Sequence, residues 1–262
     1  MNAPKFLPAG CALSPPELVA ALRNVGAVKA RLTAGELLVR GALAGALLAV
    51  ATTLALSAAA QTGLPIVGAA VFPVGFVMLV LLGLELLTGN FLLLPLACAR
   101  REATLGQLVR NWCLVFVGNL LGSLLYASLY VGLGGVPESV STALSRIAEA
   151  KTVAYAAQGA SGLSLVIARA VLCNWLVTLG VVMSMVSRSV PGKVVAMWLP
   201  IFTFFAQGFE HSVVNMFVIP AGIWSGANVT VADWWLWNQL PVTLGNLLGA
   251  LLLTAVPVSY RR

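Results

Sequence analysis

Gly83-Leu84-Glu85-Leu86-Leu87-Thr88-Gly89-Asn90-Phe91 returns 125 residues later as Gly208-Phe209-Glu210-His211-Ser212-Val213-Val214-Asn215-Met216, with the Gly-x-Glu-x4-Asn spacing intact. Each stretch lies inside an apolar run longer than the about 20 residues that one membrane span needs. Each also puts a carboxylate where a lipid-exposed helix would carry it only at a cost of about 2.5 to 3.5 kcal/mol. A helix that stops at the glycine and restarts after the glutamate accounts for all three features.

Outward from these two stretches, the chain is 60% hydrophobic and only 9% charged, with a mean hydropathy of +0.98. Soluble domains carry about 25% charged residues, so this composition belongs in lipid. Six spans are expected, at residues 41–60, 67–99, 112–134, 163–187, 194–224 and 237–258, the second and fifth interrupted. The repeat extends past the breaks. Asn111-Trp112-Cys113 through Gly118-Asn119-Leu120-Leu121-Gly122 reappears as Asn238-Gln239-Leu240 through Gly245-Asn246-Leu247-Leu248-Gly249 at an offset of 127, and Arg40 matches Arg169 at 129. Three spans per copy is an odd number, so the second copy enters the membrane inverted, an architecture that places a transport site between broken helices near the midplane. The expected fold is therefore all-α: six transmembrane helices in two inverted three-helix repeats. One transport domain fills residues 1–262, with a helix over 14–32, a first repeat over 33–134 and a second over 163–258. The Gly-x3-Gly pairs at 118 and 122 and at 245 and 249 allow close helix approach.

The net charge of +7 follows topology rather than a nucleic-acid surface. If the spans alternate, Lys5, Arg23, Lys29, Arg31, Arg40, Arg100, Arg101, Arg110, Arg188, Lys193, Arg261 and Arg262 share one side, and only Arg146, Lys151 and Arg169 occupy the other. The positive-inside rule then puts both termini in the cytoplasm of a multi-pass inner-membrane protein. Trp224, Trp234, Trp235 and Trp237 read as an interfacial belt around the last outer loop. No cleavable signal peptide is expected, for want of a basic segment followed by an apolar run. Ser14-Pro15-Pro16-Glu17 has capping-box spacing, and Leu18, Leu22, Val25 and Leu32 follow at helical intervals, predicting an amphipathic anchor on the cytoplasmic face. Cys11, Cys98, Cys113 and Cys173 form no C-x-x-C pair and read as small hydrophobes, so neither metal nor cofactor is expected.

At each break a restarting half-helix exposes N–H groups without intrahelical acceptors. Capping them is one role for Glu85 and Glu210, with Gly83 and Gly208 ending the preceding half-helices; direct substrate contact or proton transfer is the other. The positive dipole ends of the two restarts would meet near the bilayer centre, a field that favours anions. His211, the single histidine, stands beside Glu210 at mid-membrane depth by span counting, where an ionisable group marks function. It can give a proton to a weak-acid anion or a hydrogen bond while neutral. Thr88 offers a hydroxyl from the first break, and Asn215, one turn after His211, orients it or faces the same cavity. Phe72, Phe76, Leu86, Val177 and Phe204 are either apolar constrictions around this site or ordinary packing and lipid-facing residues.

In Gly83 to Asn90, in Cys173-Asn174-Trp175-Leu176-Val177 and above all in Gly208 to Pro220, the chain resembles the formate/nitrite transporter family, over about residues 14 to 258. The resemblance implies an aquaporin-like six-helix fold, a homopentamer with one pore per subunit, and passage of formate, nitrite, hydrosulfide, lactate or related monovalent anions. It makes His211 the central histidine, Thr88 the threonine of the first break, and Asn174 and Asn215 its polar surroundings. It also places constrictions at Phe72, Phe76, Leu86, Val177 and Phe204. One position departs: many members carry an anion-attracting lysine about sixteen residues before the asparagine matching Asn174, and here Gln158 stands there, with Lys151 seven residues earlier as a substitute. The leading expectation is pH-dependent, proton-coupled permeation of formate or nitrite. Bicarbonate, lactate or hydrosulfide permeation stays open. A neutral-solute channel ranks lower because neither break contains Asn-Pro-Ala. A membrane enzyme using Glu210 and His211 lacks an accompanying nucleophile, metal cluster or nucleotide loop.

Overall fold

The computed structural model describes residues 12–259, so Lys5, Cys11, Arg261 and Arg262 of the readings above lie outside the described residues. The chain is helical throughout: α1 (Pro15–Ala30), α2 (Ala34–Thr62), α3 (Pro65–Leu81), α4 (Leu87–Cys98) and α5 (Leu105–Gly132), then α6 (Glu138–Lys151), α7 (Gly159–Val186), α8 (Val190–Ala206), α9 (Ser212–Trp224) and α10 (Val231–Val258). Four helices, α2, α5, α7 and α10, are long and apolar enough to cross a membrane alone. The expected second and fifth spans are the broken pairs α3–α4 and α8–α9, so the six expected spans are all present.

Capping chemistry sets where these helices begin. The Ser14 N–H and hydroxyl both donate to Glu17 at 2.7 Å, and Thr33, Thr104 and Thr230 form the same box with Glu36, Gln107 and Asp233. As expected of an anchor, α1 buries Leu18 and Leu22, against Leu92, Leu93 and Leu96 of α4. The two halves pack alike: α1 lies on α4 as α6 lies on α9, α2 on α5 as α7 on α10, and α2 on α3 as α7 on α8. The correspondence thus reaches back to α1 and α6, beyond the expected repeats at 33–134 and 163–258. Helix α6 is the element the sequence reading left out.

The Gly-x3-Gly pairs act as predicted. A Cβ on Gly122 would run into the Ala42 carbonyl of α2, and one on Gly249 into the Val171 carbonyl of α7. The backbones of each long pair therefore touch, which anchors the frame around the breaks. Two readings need correction. Trp234 is buried, with its indole N–H donating to Gln239 Oε1 at 3.2 Å, so it packs in the bundle rather than standing in the interfacial belt. Cys113 is exposed on α5 rather than buried, while Cys173 is buried and Cys98 half-buried. Among the described residues no cluster of three or more metal-ligating side chains occurs.

Candidate functional site

Helix α3 ends at Gly83 with φ +65° and α8 at Gly208 with φ +63°. This left-handed conformation costs an L side chain energy and glycine almost none, which is why glycine opens both breaks. Three residues later the chain restarts. The residues before the restarts share one backbone state, Leu86 at φ −111°, ψ 121° and His211 at φ −112°, ψ 120°. Leu86 and His211 are therefore repeat counterparts at the offset of 125, while Thr88 pairs with Val213.

The expectation that Glu85 and Glu210 cap the restarting helices is not met. Two asparagines take that role: Asn119 Oδ1 accepts from Leu87 N–H at 3.1 Å, and Asn246 Oδ1 accepts from Ser212 N–H at 2.8 Å. Each amide also donates in two directions. Asn119 reaches the Gly41 and Glu85 carbonyls at 2.8 and 2.9 Å, and Asn246 reaches those of Ala170 and Glu210 at 2.8 and 2.9 Å. A carboxylate can only accept, whereas a carboxamide satisfies the orphan N–H and the break carbonyl of Glu85 or Glu210 at once, and ties both to a neighbouring helix through the Gly41 or Ala170 carbonyl. The asparagine is the better plug for a break that leaves both kinds unpaired.

The carboxylates turn instead toward lysines. Glu85 and Glu210 are each 1% exposed, paired with Lys29 at 2.5 Å and Lys151 at 2.8 Å. Asn90 and Asn215 donate to the respective carboxylates at 2.8 Å and, through the same nitrogen, to Asn111 Oδ1 at 2.9 Å and Asn238 Oδ1 at 2.8 Å. Asn111 and Asn238 close each ring on the Lys29 and Lys151 carbonyls at 3.1 and 2.9 Å. Each break thus carries a buried Lys–Glu–Asn–Asn ring that ties α1 or α6 to it. Asn215 belongs to this ring, and among the described residues its side chain forms no hydrogen bond with His211, correcting its assignment as that residue's orienting partner. The second ring alone adds a phenol: Tyr155 donates to Glu210 Oε1 at 2.9 Å and accepts from Arg169 at 3.0 Å.

Thr88 and His211 meet between the breaks. His211 Nδ1 accepts from Val214 N–H at 3.2 Å, capping α9 with the imidazole itself. In the neutral ring that bond leaves the proton on Nε2, which donates to Thr88 Oγ1 at 2.9 Å. Phe204 lies against the imidazole, ring centres 5.7 Å apart and planes 22° from parallel. Asn174 donates to the Thr88 carbonyl at 3.2 Å and the Asn246 carbonyl at 2.6 Å, so α7 braces the first break and the α10 asparagine that plugs the second. Asn174 therefore supports the pair through backbone groups.

Each break has a cavity, of about 320 Å³ beside Lys29 and about 300 Å³ beside Lys151; His211 lines the second, and Thr88 lines neither. The cavities are repeat counterparts: Leu79, Val80, Leu84, Leu86 and Leu93 line the first where Phe204, Phe205, Phe209, His211 and Val218 line the second. Of the expected constriction residues, Phe76 and Leu86 face the Lys29 side and Phe204 the Lys151 side. Phe72 is fully buried and lines neither cavity, stacked on Phe205 at 3.9 Å and edge-on to Phe204 at 5.7 Å. Val177 is fully buried in the same core and lines neither cavity. Gln158 is not brought to the site: it is exposed, and its amide donates back to the Ala154 carbonyl at 3.0 Å. Lys151 lines the cavity.

The formate/nitrite transporter sequence profile matches residues 16–260. The chain belongs to the formate/nitrite transporter family. It is 37% identical over 259 residues to a probable formate transporter of Methanothermobacter thermautotrophicus, covering 92% of this chain and 94% of that one. A formate channel of Haemophilus influenzae is 33% identical, with 95% of this chain and 94% of that one covered. Among solved structures, an FNT family ion channel superposes with a TM-score of 0.83 at 27% identity, covering 94% of this chain and 99% of that one. A pentameric formate channel with formate bound gives 0.74 at 25%, covering 85% and 95%. This formate/nitrite transporter is accordingly an all-helical, aquaporin-like, multi-pass membrane protein of a channel and transporter family, not an enzyme.

In this family member, several residues of the site escaped the sequence reading. Asn111, Asn119, Asn238 and Asn246 were visible as a repeat, but nothing in their spacing showed that they plug the breaks. Lys29 is visible only as one of the positive-inside charges, and Arg169 only as the counterpart of Arg40 and one of the three cations on the opposite side. Tyr155 carried no signal.

Proposed function

We propose that this transporter passes small monovalent weak-acid anions, formate first and nitrite next, between the two cavities by way of Thr88 and His211. The observation that carries this reading is the His211 Nε2–H donated to Thr88 Oγ1 at 2.9 Å, a buried contact between the two breaks, where Leu86 lines the Lys29 cavity and its repeat counterpart His211 lines the Lys151 cavity. A bare anion in an apolar neck has lost its water, and that cost falls if it is protonated or accepts strong hydrogen bonds. Because Nδ1 already accepts from Val214 N–H, the ring has no free position for a second proton. His211 serves as a neutral hydrogen-bond donor, and the proton that travels with the anion comes from water in the vestibule.

The positive-inside arrangement supports inverted halves with both termini in the cytoplasm of the inner membrane, which makes the Lys29 cavity the inner vestibule and the Lys151 cavity the outer one. The superposition on a pentameric formate channel supports a homopentamer with one pore per subunit. The Gly83, Gly208, Glu85 and Glu210 set then holds the broken helices, and Phe72, Phe76, Leu86 and Phe204 form the dry neck.

Counterflow into proteoliposomes at two pH values tests the substrate class. Labelled formate and nitrite exchange quickly, bicarbonate and lactate more slowly, and glycerol not at all. Glycerol-driven osmotic swelling with no formate exchange would replace this reading with a neutral-solute channel.

A further inference from the structure

Both vestibule lysines are neutralised where they stand. Lys151 faces Glu210 at 2.8 Å and Lys29 faces Glu85, with lysine side chains only 17% and 15% exposed. Glu210 is saturated as an acceptor, taking Lys151, Asn215 and Asn238 on Oε2 and Tyr155 on Oε1. A pair this close presents a dipole to an approaching anion, and its field fades much faster with distance than that of a single charge.

Each vestibule nevertheless contains a second cation that has no such partner. In the outer one it is Arg169, which lines the cavity beside Lys151. Its guanidinium makes one side-chain hydrogen bond, to the neutral Tyr155 hydroxyl at 3.0 Å, and forms no ion pair among the described residues. The phenol passes its own proton to Glu210, so Tyr155 holds the arginine in place without cancelling it. Most of the guanidinium's five N–H groups stay available, in the planar fork that matches a carboxylate or nitrite. In the inner vestibule the second cation is Lys193, which lines the cavity beside Lys29. Its side chain makes no hydrogen bond or ion pair among the described residues.

We propose that Arg169 in the outer vestibule and Lys193 in the inner one are the residues that recruit the anion, while Lys151 and Lys29 are structural partners of the buried glutamates. This inference rests on the proposed anion permeation and assigns which charges select for it. Each vestibule keeps one uncancelled positive charge, and the two mouths attract monovalent anions alike although their residues differ.

The test reads labelled formate entry from each side separately, in intact cells and in inverted membrane vesicles, at low and high salt. Arg169→Gln raises the half-saturation concentration from the outside by about fivefold at low salt and leaves the inside value alone. Arg169→Lys raises the outside value less than Arg169→Gln does, because the charge is kept although the planar fork is lost. Lys193→Gln gives the mirror result, from the inside only. High salt narrows these gaps, since exposed charges are screened beyond about 3 Å at 1 M. The parent protein's own half-saturation concentration rises with salt on both sides, a measurement that needs no variant to fold. Unchanged half-saturation in both glutamine variants, equal shifts from both sides, or loss of maximal rate with no salt response would each overturn the assignment. Absence of formate entry in the parent protein would instead overturn the proposed function, and the assignment with it.

Discussion

Replacing His211 with phenylalanine lowers formate flux by tenfold to about a hundredfold, the worth of one hydrogen bond to a charged group at about 1.5 to 3 kcal/mol. The size follows from where the imidazole sits. It is 3% exposed and lines the Lys151 cavity at the second break. Phenylalanine keeps the ring that stacks with Phe204 but removes both nitrogens. The anion then faces the neck without Nε2–H, and Val214 N–H loses its acceptor. The second loss destabilises the start of α9 by about 1 kcal/mol on the scale of helix caps, too little to unfold the bundle. Thr88→Val gives a smaller decrease, since it removes one hydroxyl and leaves the imidazole donor in place. Flux assays in proteoliposomes check both, with chromatographic elution confirming assembly. A His211→Phe channel that conducts like its parent would remove His211 from the pathway.

Breaking the buried ion pair has the largest effect expected on stability. Glu210→Leu leaves Lys151 charged, largely buried and without its carboxylate, and deprives Tyr155, Asn215 and Asn238 of an acceptor. Removing one partner of such a pair costs about 3 to 5 kcal/mol, most of it the penalty of the stranded charge. Adding Lys151→Met to Glu210→Leu removes that stranded charge and restores much of the loss. The four proteins of this cycle, compared by thermal unfolding in detergent, yield a favourable coupling of about 2 kcal/mol or more. A double variant no more stable than Glu210→Leu alone would mean that the asparagines and Tyr155, not the lysine, are what the glutamate serves.

How far the sequence alone reached can be seen at the breaks. Their position, glycine, acid and histidine could all be read, because a span needs a long apolar run and lipid does not tolerate an uncompensated carboxylate. The partner of the carboxylate could not be read. Glu85 is 56 residues from Lys29 and Glu210 is 59 from Lys151, and no local periodicity relates them. The resemblance drew attention to Gln158 by counting residues back from Asn174, but the residue that reaches the glutamate is Lys151. Helix α6 ends on Lys151 and delivers that lysine to the glutamate, while Gln158 lies just ahead of α7 and faces solvent. Helix α6 itself was missed because its apolar residues are few. Val140, Leu144 and Ala148 form one buried stripe among Glu138, Ser139, Ser141, Thr142, Ser145, Arg146 and Glu149. That stripe suits a helix lying on the bundle rather than one crossing the membrane. Its equivalence to α1 is carried by the lysine in the last turn of each, a resemblance that becomes visible only in three dimensions.

The most direct test of the path through Thr88 and His211 is a count of protons and charge per formate. Liposomes holding the parent protein and a pH-sensitive dye are given a formate gradient with the membrane potential clamped at two values. Passage of the anion together with a proton predicts internal acidification in step with formate uptake, about one proton per formate. It also predicts a rate that rises as external pH falls and does not respond to the potential. Formate uptake that follows the membrane potential, with no acidification and no dependence on pH, would contradict it.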